Sequence, residues 1–223
     1  DRSVSRGLGD VYKRQGYSPN RFAKSLRTKE SNTIGIMVED ITAFQTPRII
    51  NGINNYVEKQ GYAVILNNMS LLEKTGNHYS ELSSYQSAIS KSIKLFNKTQ
   101  IDGLVYVAMH DRDVMELIPK LSIPIVLVYC YDTSKKNYYV TYDNMDVIAD
   151  VAEYLVKHGH EKIGVIKGAE DSLPSQKRLR SFITQLEKAG KELKEEYIFP
   201  GVWEFGDGVK AYERFKQLEE KPT

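Results

Sequence analysis

The chain has one cysteine, Cys130. That excludes an internal disulfide and leaves no thiolate cluster for a metal, as suits a reducing compartment. No apolar run approaches the ~20 residues needed to cross a bilayer. No secretory-signal core stands near the N-terminus either, so the expected location is cytoplasmic, with no membrane partner. Net charge is only +2, which rules out a chain-wide field for nucleic acid. Enzyme signatures are also missing: no glycine-rich dinucleotide fingerprint, no phosphate-loop lysine motif and no paired-histidine zinc helix. "GDG" at 206–208 is too short to argue from. His158 and His160 straddle the glycine of a helix-to-strand turn with no third ligand near in sequence, so packing or capping is expected of them. No catalytic residue, metal or cofactor is expected, and the chain does not read as an enzyme.

What is present is uneven. Residues 1–30 carry eight Lys or Arg against three Asp or Glu, and the remainder carries 23 against 26. A polyanion partner would meet the N-terminal end; the alternative is a solvated basic tail. Residues 1–15 lack helical or strand periodicity and are expected to be a non-native leader, outside the fold. "QLEEKPT" at the other end stops where an α/β chain would start another strand, so an incomplete C-terminal part is expected.

Between them, strands and helices alternate. Strands are expected at 33–40, 62–68, 102–109, 123–130, 139–143, 162–168 and 197–201. Helices are expected at 47–61, 77–98, 112–121, 144–158, 175–189 and 208–219. Ile49, Ile50, Ile53, Tyr56 and Val57 give the first helix its 3.6-residue apolar stripe, and Gly61, Gly159 and Gly190 stand where helices end. The strands are near-continuous Val/Ile/Leu runs, as in parallel sheets covered by helices on both faces. A polar stretch at 131–139 divides two blocks of βα units, which predicts two similar lobes.

In open parallel sheets, ligands sit beyond the carboxyl ends of the strands. Those ends are 39–44, 67–68, 109–111, 129–131, 143, 168–175 and 201–203, rich in hydrogen-bonding groups and aromatic rings. Rings stacking on apolar faces while polar groups bind hydroxyls is how sugars and nucleosides are held. The plain alternative is ordinary loop polarity.

An ordered series then carries a resemblance: "GYSPNRFAKSLRTKESNTIGIMVED", "IINGINNYVEKQGY", "DGLVYV", "SIPIVLV", "YDN", "EYLVKHGHEKIGVIKG" and "RLRSFITQLEKAG". Across residues 16–223 the chain resembles the ligand-responsive transcription repressors of the lactose-repressor (LacI/GalR) type. The resemblance implies an α/β fold, a periplasmic-binding-protein-like type I core of two Rossmann-like lobes with parallel sheets. It implies the end of a DNA-binding head and a hinge helix at 16–30, an N-terminal lobe at 31–133 and an incomplete C-terminal lobe at 134–223. The helix-turn-helix head and the strand that returns to the first lobe are expected to be missing, so residues 16–223 alone should not bind operator DNA specifically.

At the hinge, the resemblance implies that Leu26 wedges into a minor groove with Ala23 beside it. Asn20 lies in the same segment, and Lys24 and Arg27 approach phosphates. For the effector it implies that Arg178 binds the ligand and Trp203 stacks on its ring, with Phe44 and Gln45 over the cleft. An acidic family residue after the fourth strand is replaced by Tyr129, and Ser181 stands where a glycine is usual. The implied function is a repressor controlled by a small metabolite, expected to be a sugar, with operator DNA as partner and a homodimer as the assembly. A periplasmic-type sugar receptor without DNA binding, or an α/β enzyme on a sugar or nucleotide, are the other readings.

Overall fold

A computed structural model describes residues 30–76, 82–134 and 136–223. The hinge candidates Asn20, Ala23, Lys24, Leu26 and Arg27 lie outside the described residues, as does the first part of the helix expected from residue 77.

The first lobe is built on β1 (Thr33–Val38), an apolar strand inside its sheet. Ile36, Met37 and Val38 are wholly buried, because β1 lies inside a five-stranded sheet with helices on both faces. Its parallel neighbours are β2 (Ala63–Asn68) and β3 (Gly103–Val107); β4 (Ile125–Val128) and β5 (Tyr138–Val140) follow, giving the order β2-β1-β3-β4-β5. On one face α1 (Thr46–Lys59) sets Ile49, Ile50 and Ile53 against Ile36, Val38 and Val107. On the other, α2 (Leu71–Thr75) and α3 (Leu82–Thr99) bring Leu71, Tyr85, Ile89 and Phe96 onto Met37, Leu104 and Tyr106. α1 ends at Gly61, whose φ of 81° lets its amide reach Glu58 O while the Tyr62 amide returns to Val57 O. Gly159 and Gly190 close later helices with the same pair of bonds, as their positions in the sequence predict.

Two differences from the sequence reading have physical causes. Residues 112–121 form turns, not a helix. Asp113 bridges to Tyr131 and accepts from the Met115 amide at 3.0 Å, and the Val114 amide bonds Tyr131 O at 3.0 Å, so tertiary pairing takes the backbone that a helix would use. Pro119 removes one more donor. Further on, the polar crossing is gathered by Asp132, which accepts from the Ser134 amide at 2.8 Å and Asn137 Nδ2 at 2.8 Å. The chain then pairs β5 with β4, so the first sheet draws its last strand from beyond residue 133.

The second lobe comprises α4 (Asp146–Lys157), β6 (Val165–Lys167), α5 (Leu173–Lys188), a 3₁₀ turn (Glu195–Tyr197), β7 (Ile198–Pro200) and α6 (Phe205–Lys216). β6 and β7 pair in parallel. Its buried core is Ala152, Ile163, Phe182 and Leu186, where α4 and α5 meet. Ser181 Oγ donates to Met145 O at 2.6 Å, tying α5 to the start of α4. Among the described residues no helix is long and apolar enough to cross a membrane.

Candidate functional site: a cleft between two parallel sheets

The carboxyl ends of the strands from both lobes open onto one cavity of about 650 Å³. Phe44, Gln45, Arg178 and Trp203 all line it, two from each lobe. Met109, His110, Tyr129, Tyr142 and Ile166 contribute as well. The volume lies in the usual range for a small-molecule site, roughly 300–1,000 Å³.

Two of its aromatic residues share an unusual backbone. Tyr129 and Trp203 have φ of 66° and 65°, the left-handed region that bulky residues avoid. Such conformations cost on the order of 1–3 kcal/mol each and persist only where surroundings enforce them. At Tyr129 the enforcement is a backbone bond from its amide to Val140 O at 2.8 Å and a hydroxyl that donates to Gln45 Oε1 at 2.8 Å. Its ring lies 4.6 Å from that of Tyr142. Burial, helped by the hydrogen bond with Tyr142, pushes the Tyr129 phenol above its ordinary pKa.

At Trp203 the enforcement comes from both sides. Asp207 Oδ2 accepts from the flanking amides of Val202 at 2.6 Å and Glu204 at 3.0 Å. Those bonds, the Val202 one first, hold the Asp207 carboxyl below its ordinary pKa. Beneath the indole is Gly168, where a Cβ would stand 2.0 Å from Trp203 Cζ2. Only glycine permits the ring to lie on the backbone there. The indole then meets the His110 ring edge-on, centroids 5.1 Å apart, which joins the two walls.

Arg178 rises from the second turn of α5, whose first turn is capped by Ser172 Oγ accepting from the Ser175 amide. Its Nε donates to Asn144 Oδ1 at 2.7 Å and its Nη2 to Tyr142 Oη at 3.0 Å. Asn144 Nδ2 in turn donates to Asp111 Oδ2 at 2.9 Å, which fixes the amide with its oxygen toward the arginine.

Other strand-end residues serve structure. Glu39 is wholly buried: it pairs with Arg112, accepts from the Tyr106 hydroxyl and takes the Met109 amide at 2.8 Å. Asn67 accepts from Ser92 Oγ and Asn68 from the Ile41 amide, both away from the cavity. His158 and His160 also sit elsewhere, their Nδ1 atoms on Tyr154 O and Thr223 Oγ1. His110, Tyr142 and Asp207 are the residues that sequence reasoning did not single out. The first lies in a strand-end stretch marked only as a group, Tyr142 acts through the distant Arg178, and Asp207 acts through backbone amides whose pairing no side-chain pattern announces.

Residues 31–223 match the family described as "Periplasmic binding proteins and sugar binding domain of LacI family". The chain belongs to this family. It is 24% identical over 223 residues to catabolite control protein A of Priestia megaterium, covering 99% of this chain and 63% of that protein. It is 28% identical over 228 residues to the HTH-type transcriptional repressor PurR of Mannheimia succiniciproducens, covering 96% and 61%. Among solved structures, the lac repressor dimer bound to operator and the anti-inducer ONPF shares the fold with a TM-score of 0.70. That match has 18% identity and covers 91% of this chain and 58% of that one. The LacI-family chain thus spans about three fifths of the length of the curated relatives it matches. Its two lobes are of the periplasmic-binding-protein-like type, with parallel sheets.

Proposed function

We propose that the chain forms the effector-binding part of a ligand-responsive DNA-binding transcriptional repressor, with a small metabolite of the sugar type in its cleft. The observation that carries this reading is the meeting of Phe44, Gln45, Arg178 and Trp203, from two lobes, around one cavity. Two curated relatives bear the names of a catabolite control protein and a transcriptional repressor. Binding is the work of the site and no turnover is expected of it, in a cytoplasmic protein.

A ligand that touches both walls favours one inter-lobe angle, and only that difference in affinity can drive a response. In a homodimer the angle sets the separation of the two 16–30 segments. There Asn20, Ala23, Lys24, Leu26 and Arg27 would form the hinge helix against operator DNA. The second reading is a periplasmic-type sugar receptor without DNA binding, because the family description also takes in periplasmic binding proteins.

Both are tested by titrating the full-length protein with a sugar panel, following Trp203 fluorescence and affinity for DNA from upstream of its own gene. The repressor reading expects a Trp203 response and a parallel shift in DNA affinity of roughly 5–150-fold. Sugar binding with no DNA affinity at any ligand concentration would support the receptor. A shift in DNA affinity with silent Trp203 would remove the effector from this cleft.

A further inference from the structure

We infer that the effector is anionic: a sugar-like ring bearing a carboxylate or a phosphate, received by Arg178. This rests on the cleft reading above and narrows it.

A guanidinium has five N–H donors. Those of Arg178 that are used go to Asn144 Oδ1 and Tyr142 Oη, both neutral. None of the ion pairs among the described residues includes Arg178. The carboxylate one step away, Asp111, accepts from Thr141 Oγ1 at 2.8 Å and Asn144 Nδ2 at 2.9 Å. Its charge is matched by Lys177, with Nζ 3.8 Å from Oδ2. Asp111 therefore orients the asparagine but does not neutralise the arginine beyond it.

Two of the other charged groups on the cavity wall, Lys167 and Asp207, are committed. Lys167 pairs with Glu170. The Asp207 carboxylate takes the Val202 and Glu204 amides at the start of α6, while Glu204 itself stands exposed on the rim. At the end of β4 the wall offers the Tyr129 phenol, already donating to Gln45. The cavity therefore presents, in Arg178, a cation with donors to spare and no carboxylate paired to it. A planar fork of that kind matches a carboxylate or a phosphate in two parallel bonds.

The body of the ligand is set by the mouth. Phe44 from the first lobe is 92% exposed and Phe205 from the second is 95% exposed, and both line the cavity. Two bare phenyl rings on opposite rims favour a ring with apolar faces between them.

The test is calorimetric titration of the full chain with glucose, glucuronate and glucose 6-phosphate, the same three forms of galactose, and inorganic phosphate alone. Trp203 fluorescence is read in parallel. At least one acidic sugar is expected to bind roughly tenfold or more tighter than its neutral parent. The carboxylate and phosphate arms tell which anion is taken, and weak binding of inorganic phosphate shows that the ring is required. Arg178→Gln should collapse the preference, while Arg178→Lys, which keeps the charge, should retain a measurable part of it. Far-UV circular dichroism of both variants shows whether they fold. Neutral sugars binding as tightly as their acidic forms, with a Trp203 response, would overturn the inference and leave the cleft reading standing. A preference unchanged in folded Arg178→Gln would also overturn it. No heat and no Trp203 response across the whole panel would overturn both.

Discussion

The two walls of the cleft are held in place by different physics. The first-lobe wall stands on a sheet whose inner strand β1 is wholly buried at Ile36, Met37 and Val38. Its rim at Met109–His110 is tied to the interior by the Glu39 carboxylate, which takes the Met109 amide and the Arg112 guanidinium together. Arg112 also lies 4.1 Å from the Tyr85 ring centroid, deep in the same core. The second-lobe wall has little interior to draw on. Ile166 of β6 is 49% exposed, and the wall residue Trp203 is placed by a missing Cβ at Gly168 and by Asp207 on two backbone amides. One wall is anchored by burial, the other by local hydrogen bonding and close backbone approach. The first should be costly to break and the second easy to retune.

The largest effect is expected from Glu39→Gln. It leaves Arg112 buried and charged, with Nε and Nη1 already lacking acceptors. Breaking a buried pair this way costs about 3–5 kcal/mol, read as a lower urea midpoint. The second-lobe counterpart, Glu170→Gln, removes the partner of Lys167 at a side chain that is 80% exposed, and should leave the midpoint unchanged. Equal losses in the two variants would erase the contrast between the walls.

Next in size is Gly168→Ala. The added methyl would stand 2.0 Å from a rigid indole, so the ring must move and the left-handed turn at Trp203 must adjust. Overpacking of this kind costs about 1–3 kcal/mol. The sharper readout is local: Trp203 emission should shift toward that of a solvated indole, and effector affinity should fall. Unchanged emission would mean that Asp207 alone positions the indole.

The contrast also explains what could be read from the chain. Alternating βα units, helix ends at Gly61, Gly159 and Gly190, and a cleft at strand ends follow from local pattern, and the structure has them. Phe44 and Trp203 fell within the strand-end stretches, but their roles, and Gln45 and Arg178 altogether, were legible only through resemblance, because nothing in their immediate sequence says that these distant segments meet. Residues 112–121 misread for a related reason. Val114, Leu117, Ile118 and Leu121 have helical spacing, but Arg112 and Asp113 are taken by Glu39 and Tyr131. Glu39 looks like any polar strand end, yet only the fold puts Arg112 and the Tyr106 hydroxyl on it. The roles of Gly168 and Asp207 were invisible because one acts by its missing Cβ under Trp203 and the other on the backbone amides beside it.

His110 is where the walls meet, and its effect is expected only on acidification. Burial, and then the positive charge of Arg112, lowers its pKa from 6.5 to about 4. Arg178 adds to this and Asp171 opposes it. Between those two pH values the unfolded chain binds a proton that the folded one refuses. Stability from the neutral ring is therefore full above about pH 6.5 and is lost as pH falls toward 4. Carboxylates titrate in the same range, so the informative quantity is a difference. From pH 7 down to 4.5, the urea midpoint of His110→Gln should fall less than that of the unsubstituted protein, with the gap between them constant above pH 7. Parallel curves across the whole range would mean that the imidazole protonates without disturbing its seat against Trp203. The two walls would then be coupled by shape alone and not by the charge state of the residue between them.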